Sequence, residues 1–513
     1  MVAHIHTVSF MGIETLSVDV QVQLNNGLPS FSIVGLPDKA VGESKERVRG
    51  ALSAMGLSLP AKRITVNLAP ADMMKEGSHF DLPIALGVLV AMDILDRETL
   101  SEYVALGELG LDGRLTPVNG ILPAAIHAGA HDLGLICPLK SAAEAKWAGD
   151  VNIMPAGNLI SLINYLKGSE TPPPIQKVEI CAEKNHLDFS DIKGQESAKR
   201  AMEITAAGGH NVLMCGPPGA GKSMLAARMP TILPPMDSEE MLEISMIKSV
   251  AGLIEEGKLV KTRPFRDPHH SASMASIIGG GMRAKPGEIS LAHGGVLFLD
   301  ELPEFQRAVL ESLRQPLETG YALIARANIH VTYPAKFQLI GAMNPCKCGY
   351  LGDPHMACSR VPKCGEDYQN KLSGPFLDRI DIHIDVPNIS PHDIAHADAG
   401  DNSETILNRV AAARAIQKAR IDGLRDRFDI PKNVRTNSDC EGGLLEHVTK
   451  LDAKTQDVML KHSKHLHLSA RAYFRILRVA RTIADLSASE NIQENHLLEA
   501  LSYRNKKYKM LSP

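Results

Sequence analysis

The sequence lacks the charge excess that would by itself mark a nucleic-acid binder: 55 Lys and Arg stand against 59 Asp and Glu, for a net charge of −4. Polynucleotide affinity is carried by Lys and Arg on phosphates. Any such contact must therefore come from a local basic surface, or from one created by assembly. The chain also lacks an uninterrupted apolar run long enough to cross a bilayer, so no membrane partner is expected. Its start, Met1-Val2-Ala3-His4-Ile5-His6, has no basic segment leading into a long apolar core, and no signal peptide is expected. There is no internal repeat and no low-complexity tract. Eight cysteines in 513 residues without a secretory leader suggest thiols or metal ligands, not a disulfide framework. The expectation is a cytoplasmic protein of about three or four globular domains.

What is present is a phosphate-binding signature. Gly216-Pro217-Pro218-Gly219-Ala220-Gly221-Lys222-Ser223 satisfies G-x-x-x-x-G-K-[ST] at every fixed position. It follows the apolar run Val212–Cys215 and leads into Met224–Met229, the order strand, glycine-rich loop, helix. The glycines let backbone N–H groups converge on phosphate, and the helix N-terminus adds favourable partial charge. Lys222 is expected to reach the outer phosphates of ATP and the Ser223 hydroxyl to hold Mg²⁺.

The clearest boundary is Gly168–Pro174, where three consecutive prolines favour an extended spacer. This divides the chain into an α/β domain over 1–165, a Pro-rich linker over 166–187, a second α/β domain over 188–390 and a helical domain over 391–513. In the first domain Leu16, Val18, Val20, Val22 and Leu24 alternate with polar residues, as one face of a strand does. Asn26-Gly27 is a turn signal, with Phe31–Val34 as the expected return strand. Val41–Met55 and Asp81–Met92 read as helices, and Ile64–Leu68 as a strand. From about 400 onward helical periodicity dominates, as in Ala470–Leu486 and Gln493–Tyr503.

Hydrolysis needs more than a phosphate loop. Gly294–Leu299 is an apolar strand ending in Asp300 and Glu301. Asp300 is expected to hold Mg²⁺ and Glu301 to polarise the attacking water. Phe337–Met343 is another such strand, ending in Asn344, which is placed to orient that water. Arg379, after Ser373-Gly374-Pro375, fits a finger that neutralises transition-state charge from a neighbouring subunit. Arg471 fits a residue closing onto the nucleotide from a helical lid. Taken alone, either arginine reads more readily as a surface ion-pair residue.

This order of parts resembles an AAA+ ATPase. Longer runs resemble the ComM family of magnesium-chelatase-like AAA+ proteins: Arg263–Ser271, Pro286–His293, Leu297–Phe305, Ser469–Tyr473 and Arg478–Thr482, with Val34–Pro37 and Lys75–Pro83 near the N-terminus. The resemblance implies a homo-hexamer with ATP at subunit boundaries. Lys222, Ser223, Asp300, Glu301 and Asn344 would act in one subunit, Arg379 from its neighbour, and Arg471 as the lid sensor. It further implies ATP-driven branch migration of DNA junctions in recombination, notably during natural transformation. Residues 1–165 resemble the Lon-protease-like (ribosomal S5 domain 2-like) fold. The Lon nucleophile position falls on His79 and the lysine position on Leu122, so no Ser–Lys pair is expected. Ser78 with Lys75 is the remaining peptidase alternative.

Cys346, Cys348, Cys358 and Cys364 lie within nineteen residues, enough thiolates to close a tetrahedral structural zinc site, with His355 as a spare ligand. The alternative is free thiols in a surface loop. His462, His465 and His467 read as a solvated helix end. For DNA, two segments qualify as pore loops. Gly279–Lys285 carries Arg283 and Lys285, and a hairpin over Ala322–Val331 carries Arg326 near its tip. Sixfold repetition would line a channel with these cations. A chelatase motor, a Lon-like unfoldase and a non-hydrolysing scaffold are the competing functions.

Overall fold

The computed structural model describes residues 2–175, 186–255, 257–281, 284–326, 329–351, 360, 362–390, 392, 396 and 400–504. Strands β1 (Val2–Met11) and β2 (Glu14–Asn25) form a long antiparallel pair. In β2 the alternation buries Val18, Val20 and Val22, as a period of two requires. β3 (Ser30–Val34) does not return against β2. It pairs in parallel with β4 (Arg63–Ala69), and β4 takes the antiparallel place beside β2. The cause is the helix Lys39–Ala54 between them, since a helical crossover makes parallel neighbours.

The sheet is completed by β5 (Tyr103–Ala105), with β6 (Glu108–Leu109) and β7 (Leu115–Thr116) as a separate small hairpin, then β8 (Gly134–Pro138) and β9 (Ile153–Ala156). The order is β3-β4-β2-β1-β5-β8-β9. The helix Asp81–Ala91 is apolar all round, packs on β1 and β2, and buries every residue from Asp81 to Val90. Asp81 tolerates this because Arg47 donates to both its oxygens, at 2.6 and 2.9 Å.

The second sheet is built from β10 (Val212–Cys215), β11 (Phe265–Arg266), β14 (Val296–Leu299), β17 (Gln338–Met343) and β18 (Ile382–Asp385). Between these lie two hairpins: β12 (Gly279–Gly280) with β13 (Lys285–Pro286), and β15 (Tyr321–Arg326) with β16 (Ile329–Pro334). The sheet order is β11-β14-β17-β10-β18, all parallel. The near-continuous apolar sequence of β10 and β14 is what a parallel strand covered on both faces needs. All five strands end at one edge, the edge where ligands of open parallel sheets bind.

Described residues from 400 to 504 form helices only. Ser403–Asp422 packs on Glu196–Gly208 and on the phosphate-loop helix Lys222–Ile232; Ala470–Leu486 packs on Glu196–Gly208. His210 Nε2 meets Thr482 Oγ1 at 2.8 Å, Lys336 Nζ meets Asp439 at 2.9 Å, and Arg475 pairs with Asp381. His210, Lys336 and Asp381 lie one or two residues before β10, β17 and β18. The helical bundle is thus fixed to the edge where strands begin. It braces the sheet from behind as a bundle, one of the two arrangements, lid or bundle, that helical periodicity allows.

The N-terminal unit also docks on the second sheet's domain. Helix Ile121–Ala130 lies against helix Ser238–Ala251, with Gly120 N donating to Ser249 O at 3.1 Å. Trp147 Nε1 donates to Gly257 O at 2.8 Å. Ile13 packs on Ala284, Ile324, Val331 and Tyr333. At Gly12 (φ +72°) the backbone comes so near β16 that an added Cβ would stand 2.6 Å from Thr332 O. Among the described residues no helix is long and apolar enough to cross a membrane.

Candidate nucleotide-binding site

The site gathers at the carboxyl edge of the second sheet. β10 runs directly into Gly216, where an added Cβ would meet Val386 O at 2.1 Å, so only glycine passes. Gly219 and Gly221 adopt positive φ, which turns successive N–H groups into one concavity. Lys222 opens the following helix and is buried. Its Nζ donates to Gly216 O (2.7 Å), Pro217 O (2.9 Å) and Asn344 Oδ1 (3.1 Å). Burial pulls the Lys222 pKa down, and Asp300 first among the nearby charges opposes that. The side chain is held over the loop, at the place where phosphate oxygens replace carbonyls as acceptors.

Asp300 and Glu301 follow β14, two strands along the sheet from β10. Ser223 Oγ donates to Asp300 Oδ2 at 2.9 Å, and Asp300 Oδ1 accepts from Glu301 N at 2.8 Å. A hydroxyl and a carboxylate side by side form the hard oxygen donor set that Mg²⁺ takes in company with phosphate and water. The residues present fit that ion, and Mg²⁺ bound there would neutralise phosphate charge. Glu301 has φ +49°, a left-handed conformation rare for a residue with a side chain. Such strain is commonest where function requires it. Its carboxylate projects toward His270, with Oε2 and Nδ1 3.4 Å apart.

His270 and Asp267 are absent from the sequence-based site. Both follow β11, the strand next to β14. The Asp267 pKa is raised, by burial first and then by Asp300, which puts the two carboxylates in one field. Their signal was present in the run Arg263–Ser271. β11 is only two residues long, so no periodicity announced a strand end there.

The two arginines lie elsewhere. Arg379 precedes β18, and its carbonyl accepts from Asn211 Nδ2 at 3.2 Å, just before β10. That edge is one four-residue strand, about 13 Å, from the phosphate loop. Arg379 is 5% exposed; Nε donates to Arg314 O at 3.0 Å and Nη1 to Pro375 O at 2.6 Å. Arg471 lies beside it, not over the loop of its own chain where a lid sensor was expected. One turn later, Arg475 ties their helix to Arg379 O and Asp381. Arg379 and Arg471 line one cleft of about 610 Å³ with Glu318, Glu441, Arg475 and Arg478.

Cys346, Cys348 and Cys364 have sulfurs within 4.8 Å of one another. Sulfurs around a tetrahedral zinc stand ~3.8 Å apart at normal Zn–S length, so these three thiols fit such a site. Cys358 and His355 lie outside the described residues. The cluster adjoins the phosphate loop: a Cβ on Gly349 (φ +86°) would stand 2.6 Å from Pro218 Cδ.

In the N-terminal unit Lys75 Nζ is buried on the carbonyls of Pro70 and Met73, while Ser78 Oγ donates to Glu108. Ser78 and Lys75 are spent on different partners. His79, at the nucleophile position, is buried on Val8 O, and burial lowers its pKa to about 4. Of the cations proposed for DNA, Lys285 is exposed on β13. Arg283 and the Arg326 side chain lie outside the described residues, although β15 does end at Arg326 in a hairpin.

Family models match the chain in three stretches. Residues 188–394 match magnesium chelatase, subunit ChlI; residues 20–141 match subunit ChlI of Mg-chelatase; and residues 400–504 match the ChlI C-terminal part. The chain is 44% identical to the competence protein ComM of Haemophilus influenzae, over 98% of this chain and 97% of the relative. It is 41% identical to the protein YifB of Escherichia coli, over 98% of this chain and 96% of the relative. It is 24% identical to the magnesium-chelatase 38 kDa subunit of Rhodobacter capsulatus, over 62% of this chain and 87% of the relative. A phosphate loop, paired acids and an asparagine on one edge of a five-stranded parallel sheet agree with these matches, and the chain belongs to the ComM family of magnesium-chelatase-like AAA+ proteins.

Proposed function

We propose that this protein is a ring-forming, ATP-hydrolysing DNA motor that drives branch migration of recombination junctions in the cytoplasm, as in the integration of DNA taken up by transformation. The observation that carries the reading is the separation of the arginines from the phosphate loop. Lys222, Ser223, Asp300, Glu301 and Asn344 share one edge of the sheet, and Arg379 with Arg471 the other. A nucleotide held by the first group meets the second only if a neighbouring copy supplies it. Both arginines then act across the seam, and a ring, a homo-hexamer by family likeness, closes such head-to-tail contacts.

In the proposed reaction ATP lies on the loop with Lys222 on its outer phosphates. Glu301 takes a proton from water, Asn344 orients that water, and the neighbour's arginines bear the charge that develops on the γ-phosphate. The Lon-like unit over 1–165, lacking a Ser–Lys pair, serves as an assembly or DNA-facing module. The Pro-rich linker over 166–187 joins it to the ATPase domain over 188–390, and the helices of 391–513 complete the seam. Arg283, Lys285 and Arg326 face the DNA backbone, where phosphate contacts bring little sequence preference.

Four-way junction DNA is expected to stimulate ATP turnover, and the protein with ATP to move the branch point in a labelled junction. Turnover that ignores DNA and a branch point that stays put would sink this reading. Stimulation by a tetrapyrrole-chelation complex instead would favour the chelatase alternative.

We assign the cysteine cluster a structural zinc ion. The purified protein is then expected to carry zinc by plasma emission analysis. Cys346→Ser should lose the metal and bind ATP about tenfold more weakly, about 1.4 kcal/mol, because Gly349 packs on Pro218 of the phosphate loop. Unchanged metal content in Cys346→Ser would remove the assignment.

A further inference from the structure

The two arginines proposed to act across the seam already hold an anion of their own. Glu318, in the short helix Pro316–Thr319, lies with Oε1 2.6 Å from Arg379 Nη2 and 3.9 Å from Arg471 Nη2. The Arg379 guanidinium has five N–H donors in a fixed fork. Nε and Nη1 are committed to the carbonyls of Arg314 and Pro375. The Nη2 end alone points into the cleft, and Glu318 occupies it. The carboxylate is 45% exposed, so it is free to leave when a stronger anion arrives.

Resting on the reading of a composite seam, the geometry points to Glu318 as a gate: a resident carboxylate that competes with the neighbour's γ-phosphate for Arg379 and Arg471. It is not what positions Arg379, because two backbone carbonyls and near-complete burial hold that side chain without it. Removing the negative charge therefore removes a competitor and leaves the finger in place. With the carboxylate in place, the arginine pair presents one net positive charge, not two, to stray phosphates and polynucleotides. Only an anion of higher charge, presented at the correct distance by a docked neighbour, displaces the carboxylate. The equilibrium shifts by no more than the difference in affinity between the two anions.

The test uses the full chain in a Glu301→Gln background, where ATP stays uncleaved, and follows assembly with ATP and Mg²⁺ by sedimentation velocity across protein concentration. Adding Glu318→Gln keeps an acceptor of the same shape and drops the charge. The concentration at half-assembly is expected to fall about threefold, the scale of a partly exposed ion pair. In an Arg379→Ala background the half-assembly concentration should rise, and Glu318→Gln should no longer lower it. If Glu318→Gln leaves the midpoint unchanged, or raises it while lowering the melting temperature of the monomer, the gate is refuted and the carboxylate is structural. If Arg379→Ala itself leaves assembly unaltered, the composite seam fails, and the gate with it.

Discussion

Lys222→Ala is expected to abolish measurable nucleotide binding while leaving the fold intact. The ammonium is a full positive charge seated on the phosphate loop, where it bridges Gly216 O, Pro217 O and Asn344 Oδ1. Hydrogen bonds from a charged donor contribute about 1.5–3 kcal/mol each, and Lys222 offers more than one to a triphosphate. The loss is put at about 3–5 kcal/mol, a hundredfold or greater weakening of Kd at roughly 1.4 kcal/mol per tenfold. Removing a buried Lys leaves carbonyls that water can reach, so unfolding is not expected. Titration of a fluorescent ATP analogue, with circular dichroism as the folding control, measures both. A Kd within threefold of the parent would overturn the role given to Lys222.

Glu301→Gln should separate binding from turnover. The amide keeps the size and the left-handed backbone of Glu301 but cannot take a proton from water. A positioned general base contributes about 10²–10⁴-fold, so kcat is expected to fall by roughly three orders of magnitude with the Kd for ATP little changed. Single-turnover hydrolysis and the same binding titration check the two halves. Normal hydrolysis by Glu301→Gln would move the base elsewhere on that edge, with Asp267, which feels the charge of Asp300, the next carboxylate to test.

Much of this site was legible in the sequence because its parts follow strands. An apolar run that stops abruptly in a polar residue states both that a strand is buried and that its end faces a cleft. Val296–Leu299 and Gln338–Met343 do so, and Val212–Cys215 runs instead into the glycine-rich loop; the structure brings Lys222, Asp300, Glu301 and Asn344, which follow these strands, to one edge. β11 hid Asp267 and His270, because two residues carry no period. Local pattern also misled at β3: Asn26-Gly27 marks a turn truthfully, yet pairing was decided by the later helix and β4. The long β1 was unread although Ala3 and Ile5 mark one buried face and Val8 the other. Helical periodicity in Ala470–Leu486 gave the helix its bounds but not its seat. That depends on Arg475 and Thr482 meeting partners far off in the chain, and such encounters leave no periodic trace. The cleft pairing of Arg379 and Arg471 on Glu318 was unreadable for the same reason.

The close approach at Gly12 has a mechanical corollary. Backbone there rests on the Thr332 carbonyl with no side chain as a cushion, and Ile13 is wedged among the hairpin's own apolar residues. When β15 and β16 shift, the tip of the β1–β2 ribbon has to travel or the joint must part. The N-terminal unit is therefore more than a module tethered by prolines: through Gly12 and Ile13 it bears directly on the hairpin, and displacing one strains the other.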